Sequence, residues 1–122
     1  MLLPDFYKIT ETNFTDHKLQ AVIELNAAHD VFKGHFPNNP VTPGVCMLQI
    51  FKELSEQTLQ KKLSIKECSN VKFMALINPE THPILNIAID ISETDLGYKI
   101  KATALFDTTV ALKASVLLTP DL

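Results

Sequence analysis

Apolar and polar residues alternate with a period of two over much of this chain, and this alternation constrains the fold more than any other feature. It is the pattern of a β-strand that buries one face and exposes the other. The segments that show it are 5–13, where the pattern is weaker, 18–25, 71–77, 85–91, 98–104 and 110–116. The last four segments predict a four-stranded antiparallel meander.

One segment between the two groups of strands has a helical period instead. Its apolar residues recur at spacings of three and four, with polar residues on the opposite face. The pattern predicts a helix from about Pro43 to Lys62, with Thr42 as its N-cap residue and Pro43 at the first helical position. The polar stripe consists of Gln49, Glu53, Glu56 and Gln60.

One long helix and about six strands predict an α+β architecture, in which a curled antiparallel sheet buries the apolar face of the helix. A chain of 122 residues is typical of one domain, so we expect residues 1–122 to fold as a unit. An open sheet has two edges with unpaired backbone groups. Pairing two copies edge to edge would cover them, so a homodimer is also expected.

Composition argues against several classes of function. All eleven basic residues are lysines and the formal net charge is −3, so the chain lacks the guanidinium forks that grip nucleic acids. Two cysteines, Cys46 and Cys68, are too few for a disulfide framework, which favours a cytoplasmic protein. No apolar run approaches the ~20 residues that span a bilayer, and no residue pattern predicts a metal or another cofactor.

The segment 34–44 is the strongest candidate for a functional loop. It holds three of the seven prolines and two of the three glycines, which makes it stiff enough to fix a side chain in place. His35 is its only residue that exchanges protons near neutral pH. At the start of the following helix, the N–H groups of Gly44 and Val45 have no intrahelical acceptor and can polarise a carbonyl. A base beside such a helix end suits removal of a proton α to a carbonyl.

The motif Gly34-His35-Phe36-Pro37, followed by Pro40-Val41 and Pro43-Gly44-Val45, resembles the signature of the hot-dog fold 3-hydroxyacyl-acyl-carrier-protein dehydratases of fatty-acid synthesis. Val71-Lys72-Phe73 and Asn78-Pro79 extend the resemblance beyond the loop. It implies a hot-dog fold and the removal of water from a 3-hydroxyacyl thioester to give the 2-enoyl thioester. It also implies a carrier protein with a phosphopantetheine-linked acyl chain as partner, and a homodimer that can associate further into a trimer of dimers.

The resemblance further implies roles for individual residues. In the family, a loop histidine takes the C2 proton, a carboxylate on the central helix of the partner subunit helps to expel the C3 hydroxyl, and a helix-terminal amide holds the thioester carbonyl. His35 matches the histidine. Gly44 and Val45, with the motif residues Phe36 and Pro43, match the substrate-binding segment. The position of the carboxylate is occupied by Gln49.

A glutamine amide orients a hydroxyl or a water but gives up no proton at useful acidity, so this departure leaves three alternatives open. His35 acts alone on both protons, a water oriented by Gln49 supplies the acid, or the site binds acyl thioesters without dehydrating them efficiently. Glu53 lies one turn further along the helix, about 6 Å from position 49, and is predicted to be too distant to replace the acid.

Two other functions compete with a dehydratase. One is an acyl-thioester-binding subunit that has little activity itself and pairs with an active paralogue, which supplies the carboxylate. The other is a hot-dog thioesterase, in which His35 or Gln49 positions a hydrolytic water. Lys33 before the loop, and the group Lys61, Lys62 and Lys66 after the helix, suit docking of an acidic carrier protein.

Overall fold

The structure is a computed structural model that describes residues 5–34 and 40–121. Within these residues six strands and two helices are found; the long helix and five of the strands lie where the sequence pattern predicts them, whereas the short first helix was not predicted and the third strand has other bounds. The elements in chain order are β1 (Tyr7–Thr15), β2 (Lys18–Leu25), α1 (Val31–Gly34), α2 (Gly44–Leu59), β3 (Leu63–Phe73), β4 (Ile84–Glu93), β5 (Tyr98–Phe106) and β6 (Thr109–Pro120).

The six strands form one antiparallel sheet in the order β1-β2-β4-β5-β6-β3. The predicted four-stranded meander is therefore wrong in part: β4, β5 and β6 form a meander, but β3 pairs with β6 and not with β4. The burial patterns of β3 and β4 explain this difference in pairing. β4 alternates buried and exposed residues along most of its length and takes a central place between β2 and β5, whereas β3 is exposed over nearly all its length and lies at an edge.

The long helix α2 packs its apolar face against the sheet, which confirms the predicted α+β architecture. Its buried residues are Cys46, Met47, Ile50, Phe51, Leu54 and Ser55. The helix ends at Gln60, whose φ of 54° lies in the left-handed region and stops the helical hydrogen-bond ladder. The outer face of α2 carries the polar stripe and lies outside the core.

The N-terminus of α2 differs by one residue from the prediction. Pro43 is the N-cap residue with extended backbone angles, φ −61° and ψ 141°, and no side chain caps the helix. Thr42 instead donates its backbone N–H to the carbonyl of Ile77 at 2.8 Å. Its side chain is 7% exposed, and its Oγ1 has no hydrogen-bond partner among residues 5–34 and 40–121. Thr42 is thus buried beside the helix start without serving as its cap.

Candidate functional site

The predicted base lies outside the described residues. His35 and Phe36 belong to the segment between Gly34, which ends α1, and Pro40, where the description resumes. Their roles therefore stay predictions. The approach to the loop is well anchored, because Phe32 of α1 is buried and stacks on Phe6, with 5.4 Å between the ring centroids.

An apolar groove of about 430 Å³ lies at the start of α2, and we call it the helix-start groove. Pro43 and Gly44, two of the predicted substrate-binding residues, are among the residues that line it. The N–H groups of Gly44 and Val45 have no acceptor among the described residues. The first N–H group of the helix that bonds to the Pro43 carbonyl is that of Cys46, at 3.0 Å. The residues lining the groove are Val41, Thr42, Pro43, Gly44, Met47, Phe73, Met74, Ala75, Leu76 and Ile77.

Phe73 covers one side of this groove and explains the need for glycine at position 44. A Cβ placed on Gly44 would overlap the Phe73 ring, so only a glycine lets the ring approach the helix start so closely. Phe73 remains 58% exposed despite this contact, and Met74 and Leu76 beside it are 50% and 70% exposed. The helix-start groove therefore opens onto an apolar surface that residues 5–34 and 40–121 leave uncovered.

Gln49 lies in a second groove, of about 660 Å³, on the outer face of α2, and we call this the polar groove. Gln49 Nε2 donates to Glu53 Oε2 at 2.9 Å. The Tyr7 hydroxyl on β1 donates to the other carboxylate oxygen, Glu53 Oε1, at 2.8 Å. The side chain of Glu53 thus reaches back along the helix to touch the Gln49 amide. The expectation that Glu53 is too distant to replace the acid stays a prediction, because this contact is with the amide and not with a substrate.

Charged groups surround this hydrogen-bonded trio. Burial, followed by the hydrogen bond to Glu53 and the negative charges of Glu53 and Glu56, raises the pKa of Tyr7 well above its ordinary value of 10.0. The phenol is thus protonated and acts as a donor at neutral pH. Glu56 accepts a hydrogen bond from Leu63 N at 2.8 Å, and this bond links α2 to β3. The Glu56 carboxylate also lies 3.8 Å from the Lys52 ammonium on the same helix.

The structure brings only some of the predicted site residues together. Pro43 and Gly44 line the helix-start groove, whereas Gln49 lines the polar groove, and the two grooves share no lining residue. Val45 is 75% exposed and precedes Gln49 by one turn on the outer face of α2. One chain thus presents the helix-start groove and Gln49 in separate grooves, with Val45 on the same helix face as Gln49.

The sequence analysis located Glu53 on the polar stripe but did not predict its hydrogen bond with Gln49, and it missed Tyr7. The spacing of four between Gln49 and Glu53 is a signal for a side-chain pair on one helix face, and it was available in the sequence. Tyr7 carries no such signal, because its contact with Glu53 joins residues 46 positions apart. Only the packing of β1 beside α2 reveals it.

The structure keeps part of the predicted lysine group together, because Lys61 and Lys62 both line the polar groove, whereas Lys66 is exposed on β3. Lys61 also donates to the Tyr98 hydroxyl at 2.7 Å. Lys33 pairs with Asp30 at 3.0 Å. Within 5–34 and 40–121, no group of three or more histidine, cysteine or acidic side chains is placed to hold a metal ion, and no helix is long and apolar enough to cross a membrane.

Comparisons with known proteins agree on one family. A family model described as ApeI dehydratase, ApeI-like, matches residues 10–111. The 3-hydroxyacyl-acyl-carrier-protein dehydratase FabZ of Burkholderia mallei is 27% identical over 97% of this chain and 85% of its own length, and that of Burkholderia thailandensis is 27% identical over 97% and 82%.

Solved structures confirm the hot-dog fold predicted from the sequence. A chain of the dehydratase heterocomplex ApeI:P from Xenorhabdus doucetiae superposes with a TM-score of 0.78 at 21% identity, covering 92% of this chain and 96% of that one. A mutant thioesterase from Pseudomonas aeruginosa gives a TM-score of 0.65 at 11% identity, covering 98% and 84%. At these identities the structural matches establish the architecture, which hydrolases share with dehydratases.

Proposed function

Because the chain belongs to the ApeI-like dehydratase family, we propose that it removes water from a 3-hydroxyacyl thioester to give the 2-enoyl thioester. The observation that carries this proposal is the uncapped start of α2. There the N–H groups of Gly44 and Val45 lack acceptors within the described part of the chain, beside an apolar groove and directly after the loop that contains His35. Such a pair of donors stabilises the negative charge that develops on a thioester oxygen when the C2 proton leaves.

The reaction needs two protons to be handled. His35 takes the C2 proton while the Gly44 and Val45 N–H groups hold the thioester carbonyl. The C3–O bond then breaks, and the leaving hydroxyl receives a proton from His35, so that one water is released and the histidine returns to its starting state. Gln49 supplies no proton in this scheme. It orients the C3 hydroxyl by a hydrogen bond, and Phe36 and Pro43 flank the bound acyl group.

A second copy of the chain completes the proposed site. The helix-start groove and the polar groove lie on different surfaces of one chain, which suits a site shared between subunits, with the loop of one subunit facing Gln49 of the other. The β3 edge, with exposed Phe73, Met74 and Leu76 at its end, offers a surface for this pairing. We propose a homodimer formed there, with a trimer of dimers as a higher assembly.

We propose an acyl carrier protein as the donor of the substrate. The FabZ relatives are named for acyl-carrier-protein substrates. A carrier's acidic surface would meet Lys62, exposed between α2 and β3, and Lys66, exposed on β3, against the net charge of −3 of the whole chain. The two cysteines are free, which suits the cytoplasm, where we place the reaction.

A second function is favoured by one specific observation, the amide at position 49. Loss of a general acid typically costs about 10²- to 10⁴-fold in rate. A chain with this loss serves equally as an acyl-thioester-binding subunit whose paralogous partner supplies a carboxylate. The ApeI:P structure is described as a heterocomplex, which gives this alternative a precedent in the family.

The test is to incubate the purified protein with 3-hydroxyacyl-acyl-carrier-protein and to follow the products by mass spectrometry, with His35→Ala as the control. A 2-enoyl product that disappears in the control supports the dehydratase. Free 3-hydroxy acid would instead assign a thioesterase. Binding of the loaded carrier without either product would assign the subunit that depends on a partner.

A further inference from the structure

We propose that Glu53, held by Tyr7, is a positioning residue that fixes the Gln49 amide with its carbonyl oxygen turned toward the substrate, where it accepts the hydrogen bond of the 3-hydroxyl. This inference rests on the proposed dehydration and deepens it, because it assigns a task to the position where the family's acid is missing. It also assigns a role to two residues, Tyr7 and Glu53, that the family motif does not include.

The chemistry of the donors and acceptors fixes the orientation of the amide. An ionised carboxylate has acceptors only, so the edge of the Gln49 amide that faces Glu53 at 2.9 Å must be the NH₂ group. The carbonyl oxygen Oε1 then lies on the opposite edge of the same planar group. Without Glu53 the two edges of a glutamine are nearly equivalent in shape, and the amide is free to turn either one toward a ligand.

Tyr7 fixes the carboxylate in its turn. Its side chain is anchored in the core, with 5% of the residue exposed, and its hydroxyl donates to Glu53 Oε1 at 2.8 Å. Both oxygens of Glu53 are thus engaged, one by a rigid aromatic residue of β1 and one by the amide on α2. A long side chain held at both oxygens has little rotamer freedom left to lose when the substrate binds.

The negative charge of Glu53 also strengthens the acceptor. A hydrogen bond from the amide NH₂ to a carboxylate polarises the amide, and the partial negative charge on Oε1 increases. Oε1 then binds the hydrogen of the 3-hydroxyl and leaves a lone pair of the hydroxyl oxygen open to accept a proton. The proton that His35 removed from C2 is delivered to that lone pair as the C3–O bond breaks, so Gln49 and Glu53 neither gain nor lose a proton.

The first experiment measures kcat and KM for dehydration in Glu53→Gln, Tyr7→Phe and Glu11→Gln variants. Glu11→Gln is the matched control, since it removes the same charge from an exposed residue of β1 outside the polar groove. Hydrogen bonds to charged groups are worth about 1.5–3 kcal/mol, so we expect Glu53→Gln to lower kcat about 10- to 100-fold with little change in KM. Tyr7→Phe should lower kcat about 3- to 10-fold, and the control should match the unmodified protein.

A double-mutant cycle separates positioning from a general effect on the fold. If Glu53 acts through the Gln49 amide, Glu53→Gln in a Gln49→Ala background should change kcat by less than about twofold. A loss as large as in the parent protein would overturn the proposal, because Glu53 would then act without Gln49.

A second measurement keeps the inference testable if no enoyl product forms. In ¹⁵N-resolved NMR spectra, the side-chain NH₂ resonances of Gln49 should shift on Glu53→Gln and on Tyr7→Phe and stay in place on Glu11→Gln. Unmoved Gln49 resonances in the first two variants would overturn the positioning role. Absence of product from the unmodified protein, with those shifts present, would overturn the proposed dehydration and leave the hydrogen-bonded trio established.

Discussion

At position 49, the role of a substituted side chain depends on the residues around it. The resemblance identified Gln49 as the departure from the family's carboxylate, and the structure adds that a carboxylate lies beside it, on Glu53. The sequence was sufficient to locate Gln49 and Glu53 on one helix face, because the helical period is a local property. It was not sufficient to find Tyr7, because that contact depends on how β1 packs against α2.

Exchanging the two side chains tests the chemistry at this position. The double variant Gln49→Glu/Glu53→Gln keeps a carboxylate–amide hydrogen bond and moves the carboxylate one turn toward the helix start. It avoids the repulsion of two adjacent carboxylates that Gln49→Glu alone would create. We expect the rate of dehydration to rise by about 10²- to 10⁴-fold, the usual contribution of a general acid. An unchanged rate in a folded double variant would show that the pocket serves another task.

Tyr7 also makes the stability of the protein sensitive to alkaline pH. Its pKa is raised in the folded state, so the unfolded chain loses the phenolic proton first as the pH increases. This contribution is intact below about pH 10 and decreases above it, by at most about 1.4 kcal/mol per pH unit. Urea unfolding between pH 8 and pH 11 should show a smaller alkaline loss for Tyr7→Phe than for the parent, and equal losses would contradict the shifted pKa.

At the scale of elements, α2 and β2 were predicted closely and β3 was not. The alternation over 18–25 matches β2 at both ends, since each buried residue of a central strand leaves a signal in the sequence. β3 begins at Leu63, well before the predicted 71–77, because an exposed edge strand needs no apolar alternation. The pairing of β3 with β6 depends on contacts between distant segments, which a local period does not record.

The end of α2 offers a simple test of helix-terminal strain. Gln60 adopts a left-handed conformation, with φ 54° and ψ 45°, which disfavours residues with a Cβ. We expect Gln60→Gly to raise the free energy of unfolding by about 0.5–1 kcal/mol. This value is the strain relieved in the folded state minus the free-energy cost of the added conformational entropy of the unfolded chain. Thermal unfolding of this variant beside Gln57→Gly, within the helix, measures the effect. The second substitution should destabilise the protein.

At the scale of the whole molecule, the sheet has two edges of different character. β1 lies at one edge and β3 at the other, and the exposed apolar residues Phe73, Met74 and Leu76 collect at the end of β3. An apolar surface beside unpaired backbone groups is a template for pairing with another chain. The helix-start groove opens onto this same surface, so the proposed dimer contact and the proposed chemistry would meet there.

Matched substitutions at the two edges of the sheet can determine which edge forms the proposed dimer interface. We expect Phe73→Lys to convert the dimer into monomers, because a lysine brings an unpaired charge into an apolar interface. Phe14→Lys on β1 is the control, since Phe14 is also an exposed aromatic residue of an edge strand, 43% exposed. Sedimentation equilibrium should find monomers for the first variant and dimers for the second, and the reverse result would place the interface on β1.

The separation of the two grooves on one chain has a genetic consequence. If each reaction centre takes its histidine from one copy and its helix from the other, a copy lacking His35 and a copy lacking the Gln49 amide each fail alone. Mixed together, they form a dimer in which one centre is damaged twice and the other is intact. Coexpression of His35→Ala with Gln49→Ala should therefore restore activity by complementation. By the same reasoning, after a gene duplication one copy can keep the histidine while the other keeps the glutamine.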